Sequence, residues 1–201
     1  MNSQVPESNG GLMSELDHVA ERSYKTYKAR LKAAERLQAR QRAWNTCLLA
    51  LSIATTAASV ALLSDGDMYG QAGPTVLVCV SVLALVVSLS VAGLNYGVRS
   101  RDMFMNYRGL QRVSVEAESL RERGDASREE VTRLSDRFNA LLDDSENHTE
   151  ADFGTSLATS GVNPWAIRAS ATLTLLPYVG LIVPVAVVLP FVLWAIWGGQ
   201  D

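Results

Sequence analysis

The chain has 201 residues, of which 48% are hydrophobic and 19% charged, and its formal net charge is −3. That length fits one domain with appendages, and the acidic balance argues against a nucleic-acid-binding protein with a strongly basic face. All 18 Lys and Arg and all 21 Asp and Glu side chains lie outside three windows, residues 43–64, 68–98 and 169–200. Because a helix needs about 20 apolar residues to cross a bilayer, these windows predict an all-α integral membrane protein and argue against a soluble enzyme.

The N-terminal part is predicted to be a short disordered segment followed by a basic helix. Residues 1–13 are expected to be disordered, and residues 14–42 to form an amphipathic helix in the cytoplasm. Ser14 and Asp17 have the spacing of a capping box at its start. Residues 14–63 contain neither Gly nor Pro, so the helix is expected to continue into the first span. Since this part is polar and charged, no cleaved secretory signal is expected.

The first two apolar windows predict transmembrane helices at residues 43–64 and 75–98, joined by an outer loop at residues 65–74. Both helices carry hydroxyl or amide side chains at helical spacing, and these are the candidate pore-lining residues: Ser52, Thr55, Thr56, Ser59, Ser81, Ser88 and Asn95. Two interpretations stay open, namely helix packing inside one protomer and the lining of a pore when several protomers assemble. Gly93 and Gly97 form a GxxxG pattern, which favours close helix packing.

The distribution of basic residues predicts the orientation of the spans. Residues 22–42 carry eight basic side chains and one acidic one, whereas the loop after the first span carries no basic side chain. Arg residues follow the second span and precede the third. The positive-inside rule therefore places the N-terminus and residues 99–168 in the cytoplasm, and the outer loop and the C-terminus outside.

The segment between the second and third spans is predicted to contain a cytoplasmic helical pair at residues 99–145 and a polar connector at residues 146–168. Apolar residues recur at three- and four-residue steps in three cytoplasmic stretches, which predicts a helical bundle or stalk, the alternative being a solvated spacer. These stripes begin at Tyr24, Met103 and Val131. Ser127 and Glu130 have capping-box spacing before the third stripe.

The connector contains a small polar cluster of Glu146, His148 and Asp152. A metal site there would need further ligands from elsewhere in the fold, so hydrogen bonding in a polar cap or turn is the favoured interpretation. We expect no bound metal.

The third span is predicted at residues 169–198 and contains Pro177, Pro184 and Pro190. Each proline removes a backbone hydrogen bond and tends to kink a helix, so the three are candidate kink positions. A kinked helix can act as a gating element or be a tolerated irregularity, and the sequence leaves both open.

Signatures of common enzyme classes do not occur in the sequence. It has no glycine-rich phosphate loop followed by Lys, no HExxH, no CxxC and no GxSxG. We therefore expect a protein that is not an enzyme, that uses no cofactor and that does not bind nucleic acid directly.

Several short motifs between residues 14 and 152 together resemble one known family. They are Tyr27-Lys28-Ala29-Arg30-Leu31, Trp44-Asn45, Tyr107-Arg108-Gly109-Leu110, Leu141-Leu142, and Glu146-Asn147-His148 with Asp152. In this order they resemble the SLATT domain, the two-transmembrane effector associated with SMODS nucleotidyltransferases and SLOG nucleotide sensors in bacteria. The third, Pro-rich span is additional to the two spans of the core family.

The resemblance implies a homo-oligomeric, pore-forming effector of an anti-phage defence system in the bacterial inner membrane. The implied partner is a sensor, a nucleotidyltransferase or a reverse transcriptase encoded nearby. The effector is then expected to permeabilise the membrane when that partner signals infection, which kills the infected cell. The alternative function is that of a membrane-anchored scaffold or receptor that recruits a cytoplasmic partner through the helical bundle.

Overall fold

The computed structural model describes residues 9–143 and 164–197, and within these residues the backbone forms helices joined by short turns, with no strand. The helices are α1 (Asn9–Ser64), α2 (Gly73–Gly93), α3 (Tyr96–Arg123), α4 (Arg128–Asp143), α5 (Pro164–Gly180) and α6 (Ile182–Trp197). The predicted all-α class is therefore confirmed. The expected polar connector differs at its end, because residues 164–168 already belong to α5.

Helix α1 runs for 56 residues without a break, as the absence of Gly and Pro from residues 14–63 predicts. It begins at Asn9, however, and not at the capping box expected at Ser14 and Asp17. The side chain of Met13 packs against a hydrophobic core, and this contact favours extension of the helix toward the N-terminus. Residues 9–13 are therefore helical rather than disordered.

The chain divides into two compact units. Unit 1 contains the described parts of residues 1–36 and 98–168, and unit 2 contains those of residues 37–97 and 169–201. Helices α1, α3 and α4 form the core of unit 1, which consists of Leu16, Val19, Ala20, Leu110, Val113, Ala117, Leu120, Val131, Leu134 and Phe138. These helices thus pack on one another through their apolar stripes, while the location of unit 1 in the cytoplasm stays a prediction.

A tight turn joins α3 to α4 in unit 1. Gly124 has a φ of 71°, a left-handed conformation that suits glycine because it lacks a Cβ atom. The capping box predicted at the start of α4 is confirmed: the amide of Glu130 donates to Ser127 Oγ at 3.2 Å, and the amide of Ser127 donates to Glu130 Oε2 at 2.9 Å. The bond from Glu130 satisfies one of the amides that the first turn of a helix leaves without a backbone partner.

The capping box makes the stability of unit 1 depend on pH. Hydrogen bonds from Ser127, together with Arg123, lower the pKa of Glu130 from 4.5 to about 2. A carboxyl group whose pKa is lower in the folded chain stabilises the fold above the unfolded pKa of 4.5, and this stabilisation is lost as the pH falls through about 2. We expect Glu130→Gln to flatten this part of a plot of Tm against pH. The control, Glu129→Gln, changes a neighbour outside the capping box and should keep the wild-type profile.

Three helical stretches in the described part of the chain are long and apolar enough to cross a membrane: Gly10–Ser64, Gly73–Arg123 and Ala171–Trp194. Their most apolar windows are only 22%, 11% and 11% buried. Large side chains on these helices, such as Leu63, Leu89 and Val179, are more than half exposed. An apolar surface of this extent is unfavourable in water and suits the hydrocarbon of a bilayer. The three predicted spans therefore correspond to three helical stretches able to cross a membrane.

Contacts within unit 2 fix the relative direction of α1 and the α5–α6 segment. Arg40 Nε donates to Thr174 Oγ1 at 3.3 Å. Further along both segments, a Cβ atom added at Gly180 would lie 3.0 Å from Cys47 Sγ, so the Cys47 side chain packs against the backbone of Gly180. Because both contacts advance in the same direction along the chain, the two segments run parallel.

Helix α2 runs in the opposite direction to α1, and its two ends make contacts that show this. Beyond its C-terminal end, a Cβ atom added at Gly97 would lie 3.8 Å from Cδ of Gln41. In the turn before its N-terminal end, the Tyr69 hydroxyl donates to the carbonyl of Val187 at 3.0 Å. Residues 40–41, Gly97 and Thr174 therefore lie at one end of unit 2. Which side of the membrane this end faces stays a prediction.

Candidate functional sites in the spans and the bundle

The candidate pore-lining residues of α1 lie opposite the face that packs inside the protomer. Ser52, Thr56 and Ser59 are exposed, and Thr55 is half-buried. The buried face of the same stretch consists of small residues: Ala54, Ala58 and Ala61. Each alanine follows one of the exposed hydroxyl residues by two positions, which is about 200° around a helix. The small side chains therefore serve packing within unit 2, and the hydroxyl stripe remains available to lipid, water or another protomer.

Most hydroxyl groups on this stripe are satisfied by their own helix. Thr56 Oγ1 donates to the carbonyl of Ser52 at 2.8 Å, and Ser59 Oγ donates to that of Thr55 at the same distance. Thr55 Oγ1 likewise donates to the carbonyl of Leu51 at 2.9 Å. Such bonds to the preceding turn let hydroxyl groups face hydrocarbon without losing a hydrogen bond, so exposure alone does not require an aqueous pore.

The candidate residues near α2 separate into two groups. Ser81 is exposed and donates to the carbonyl of Leu77 at 2.8 Å. Ser88 is also exposed, and its hydroxyl makes no hydrogen bond to any other described residue. Asn95 differs, because α2 ends at Gly93 and Asn95 follows with a φ of 48°. The seven-residue spacing that grouped Asn95 with the two serines therefore does not place it on their helical face.

The turn at Asn95, between α2 and α3, also separates the two glycines of the GxxxG pattern. Gly93 is the last residue of α2, and a Cβ atom added there would meet no other atom within 4 Å. Gly97 belongs to the first turn of α3 and lies beside Gln41. Within the described protomer the two glycines thus do not support a close helix crossing, and their role in packing between protomers stays a prediction.

The three prolines of the third span lie on both sides of a break at Leu181. Pro177 lies inside α5, Pro184 in the first turn of α6, and Pro190 inside α6. The amide of Leu181 donates to the carbonyl of Tyr178 at 3.2 Å, a three-residue bond that tightens the end of α5. Pro184 suits the first turn of a new helix, where amides have no intrahelical acceptor. The predicted single span is thus interrupted between two of its prolines.

The polar side chains buried in unit 1 were not identified by the sequence analysis. The apolar stripe predicted on α1 began at Tyr24, which is 37% exposed, whereas Ser23 and Arg30 are 0% and 1% exposed. Burial lowers the pKa of the Arg30 guanidinium. The guanidinium still keeps its charge, since the ordinary pKa of arginine is far above physiological pH. A sequence signal existed, because Ser23 and Arg30 continue the helical spacing of the core residues Leu16 and Val19.

Helices α3 and α4 approach each other closely beside another buried polar residue, Asn106. Its Nδ2 donates to the carbonyl of Leu141 at 2.6 Å, in the last turn of α4. A Cβ atom added at Gly109 would lie 2.8 Å from Cδ2 of Leu141, so only glycine fits this approach without a shift. Leu110 is completely buried, and the Tyr107 ring lies 6.0 Å from that of Tyr27. Motif residues on three helices therefore meet in one region of unit 1.

The last family motif, Glu146, Asn147, His148 and Asp152, lies outside the described residues. Among the residues that the structure does describe, no group of three or more His, Cys, Asp or Glu side chains could hold a metal ion.

Comparison with known proteins places the chain in a family. A family model described as SMODS and SLOG-associating 2TM effector domain family 5 matches residues 12–196, which include the third apolar span as well as the first two. No curated protein and no solved structure matches the sequence. Together with the three apolar helical stretches, the match gives the identity of the chain as a membrane effector domain associated with defence systems. It belongs to the SMODS and SLOG-associating 2TM effector domain family, the SLATT family.

Proposed function

We propose that this protein is an oligomeric effector of bacterial anti-phage defence that permeabilises the inner membrane when a partner sensor signals infection. The observation that carries this proposal is the exposed stripe of Ser52, Thr56 and Ser59, which lies opposite the buried alanine face. In an assembly of several copies, such a stripe supplies a hydroxyl-lined path, and an uncharged path of this kind gates by wetting and dewetting.

The exposed serine on α2 supports the same proposal. The Ser88 hydroxyl lacks a partner among the described residues. A hydroxyl group in hydrocarbon seeks a partner or water. Assembly that brings Ser88 to a neighbouring copy or to a water-filled path satisfies that need.

The orientation in the proposed state follows from the Arg-rich flanks. Residues 99–168 and the N-terminus lie in the cytoplasm, where unit 1 is accessible to a sensor, nucleotidyltransferase or reverse transcriptase encoded nearby. The C-terminus lies outside. Unit 1 keeps the assembly closed until the partner acts, so killing depends on the trigger rather than on expression.

A matched pair of serines on α2 tests the proposal. Ser88 and Ser90 are both exposed, but they lie about 200° apart on the helix, and Ser90 Oγ already donates to the carbonyl of Val86 at 2.9 Å. The chain is expressed with its neighbouring sensor, infection supplies the trigger, and a voltage-sensitive dye reports membrane potential. We expect wild type and Ser90→Leu to depolarise the cell, and Ser88→Leu to slow depolarisation several-fold.

The same experiment separates a pore from a scaffold. A scaffold that only recruits a partner tolerates an apolar side chain at either serine, because both side chains are exposed in the protomer. If Ser88→Leu and Ser90→Leu protect the culture against phage equally well, and the membrane potential stays intact in dying cells, the proposed pore is contradicted and the scaffold is favoured.

A further inference from the structure

Unit 1 buries an arginine that has no counter-ion among the described residues. Arg30 is 1% exposed, and neither Nε nor Nη1 has a hydrogen-bond acceptor there. Burial of a charged group without such partners is strongly unfavourable, so a chain that keeps one gains from an acceptor that binds to it. The charge on Arg30 therefore points to a ligand that carries anionic oxygen atoms.

Two contacts between α1 and α3 show that Arg30 lies close, along the helix axis, to a second buried side chain with an unsatisfied hydrogen-bonding atom, Asn106. Ser100 Oγ donates to the carbonyl of Ala34 at 2.9 Å, and the Tyr27 and Tyr107 rings lie 6.0 Å apart, so the two helices are antiparallel. Arg30 lies midway between the two α1 positions. Its level on α3 is thus between Ser100 and Tyr107, within about one helical turn of Asn106.

Asn106 offers the opposite hydrogen-bonding character to Arg30. Its Nδ2 is occupied by the carbonyl of Leu141, but its buried Oδ1 has no donor among the described residues. Arg30 thus needs acceptors, and Asn106 needs one donor. A water molecule satisfies part of this requirement, but it brings no charge to offset the guanidinium.

Phosphate supplies both the anionic acceptor atoms that Arg30 lacks and the hydrogen-bond donor that Asn106 Oδ1 lacks. Near neutral pH, inorganic phosphate carries anionic oxygen atoms and at least one P–OH group, whereas sulfate has no proton to donate. The phosphodiester of a lipid headgroup has no P–OH group either. Arginine binds such oxyanions through directed, charge-assisted hydrogen bonds.

We propose that Arg30 and Asn106 form a binding site in unit 1 for a small soluble phosphate species. Arg30 binds the anionic oxygen atoms, and Asn106 Oδ1 accepts a hydrogen bond from a hydroxyl group of the ligand. This site is separate from the spans and goes beyond the proposed membrane activity, so its test does not depend on pore formation.

Thermal unfolding of the detergent-solubilised full chain tests the site, with inorganic phosphate or sulfate added at constant ionic strength. We expect saturating phosphate to raise the Tm of the wild type by about 2–4 °C or more, and sulfate to raise it less. Arg30→Met should abolish the response to phosphate. In phosphate-free buffer it should unfold at the same temperature as the wild type or higher, because it removes an uncompensated charge.

The control is Arg108→Met, which removes an exposed positive charge from α3 and should keep the phosphate response. Several results overturn the proposal: a wild type that does not respond to phosphate, an equal response to sulfate, or a response that survives in Arg30→Met. A lower Tm of Arg30→Met in phosphate-free buffer also overturns it, since Arg30 then has a structural partner. Stabilisation by phosphatidylglycerol micelles in place of phosphate assigns the anion to lipid and likewise contradicts the proposal.

Discussion

Replacement of the exposed hydroxyl stripe on α1 by leucine is expected to abolish membrane permeabilisation. The triple variant Ser52→Leu, Thr56→Leu and Ser59→Leu makes this face of the span wholly apolar, so a path lined by it no longer wets. The variant should insert normally, because leucine favours the hydrocarbon of the bilayer. We expect triggered depolarisation, followed with a voltage-sensitive dye, to fall to the background of cells without the chain.

Two further variants are the controls for this result. Ile53→Leu with Val60→Leu alters exposed apolar positions roughly 90° away on the same helix and should leave depolarisation unchanged. Ser52→Ala with Thr56→Val and Ser59→Ala removes the hydroxyl groups without adding bulk, so it separates loss of polarity from a steric block. Wild-type depolarisation by the leucine triple variant at equal membrane abundance rules out a pore lined by this stripe.

Truncation of the largest apolar core side chain in unit 1 should open the assembly in the absence of infection. Phe138 is 2% exposed and lies among the core residues of α1, α3 and α4. Phenylalanine-to-alanine changes at such sites cost about 3–5 kcal/mol of folding free energy. If unit 1 keeps the assembly closed, Phe138→Ala should depolarise cells without infection and lower the Tm of the purified chain.

Phe104→Ala is the matched control for this change. The Phe104 ring is 44% exposed and contacts only one ring in the described part of the chain, that of Tyr107, with a centroid distance of 5.4 Å. Its removal should cost about 1 kcal/mol, typical of an aromatic pair, and should not depolarise resting cells. An unstable Phe138→Ala variant that stays inert without infection contradicts the inhibitory role of unit 1.

The sequence predicted the parts of the fold that depend on composition and periodicity. Windows without charge gave the three spans, because ionised side chains are excluded from hydrocarbon. Repeated apolar positions gave the packing of α3 and α4, and the spacing of Ser127 and Glu130 gave the cap of α4. Each of these patterns reflects a local rule that holds without knowledge of distant contacts.

The features that the sequence did not predict depend on tertiary structure. Basic side chains are almost always solvated, and the sequence singled out Arg30 only as part of a family motif, although its position continues the buried stripe. The turn at Asn95 has a positive φ without glycine, and nothing in the apolar pattern around it indicates where α2 ends. The break at Leu181 lies between two prolines, and the sequence indicated a kink without choosing its position.

The third span is unusual among helical segments that cross hydrocarbon. Its prolines leave some backbone carbonyl groups without a hydrogen bond from an amide of the same helix. Pro177 and Pro190, which lie inside helices, withhold the donor that a helix otherwise offers four residues earlier, which affects the carbonyl groups of Leu173 and Ala186. Beside the last of these, the Tyr69 phenol already donates to the carbonyl of Val187. Such oxygen atoms attract hydroxyl groups and water into the bilayer, and this gives the third span a local solvation that the other two spans, which have no proline beyond the first turn of a helix, do not have.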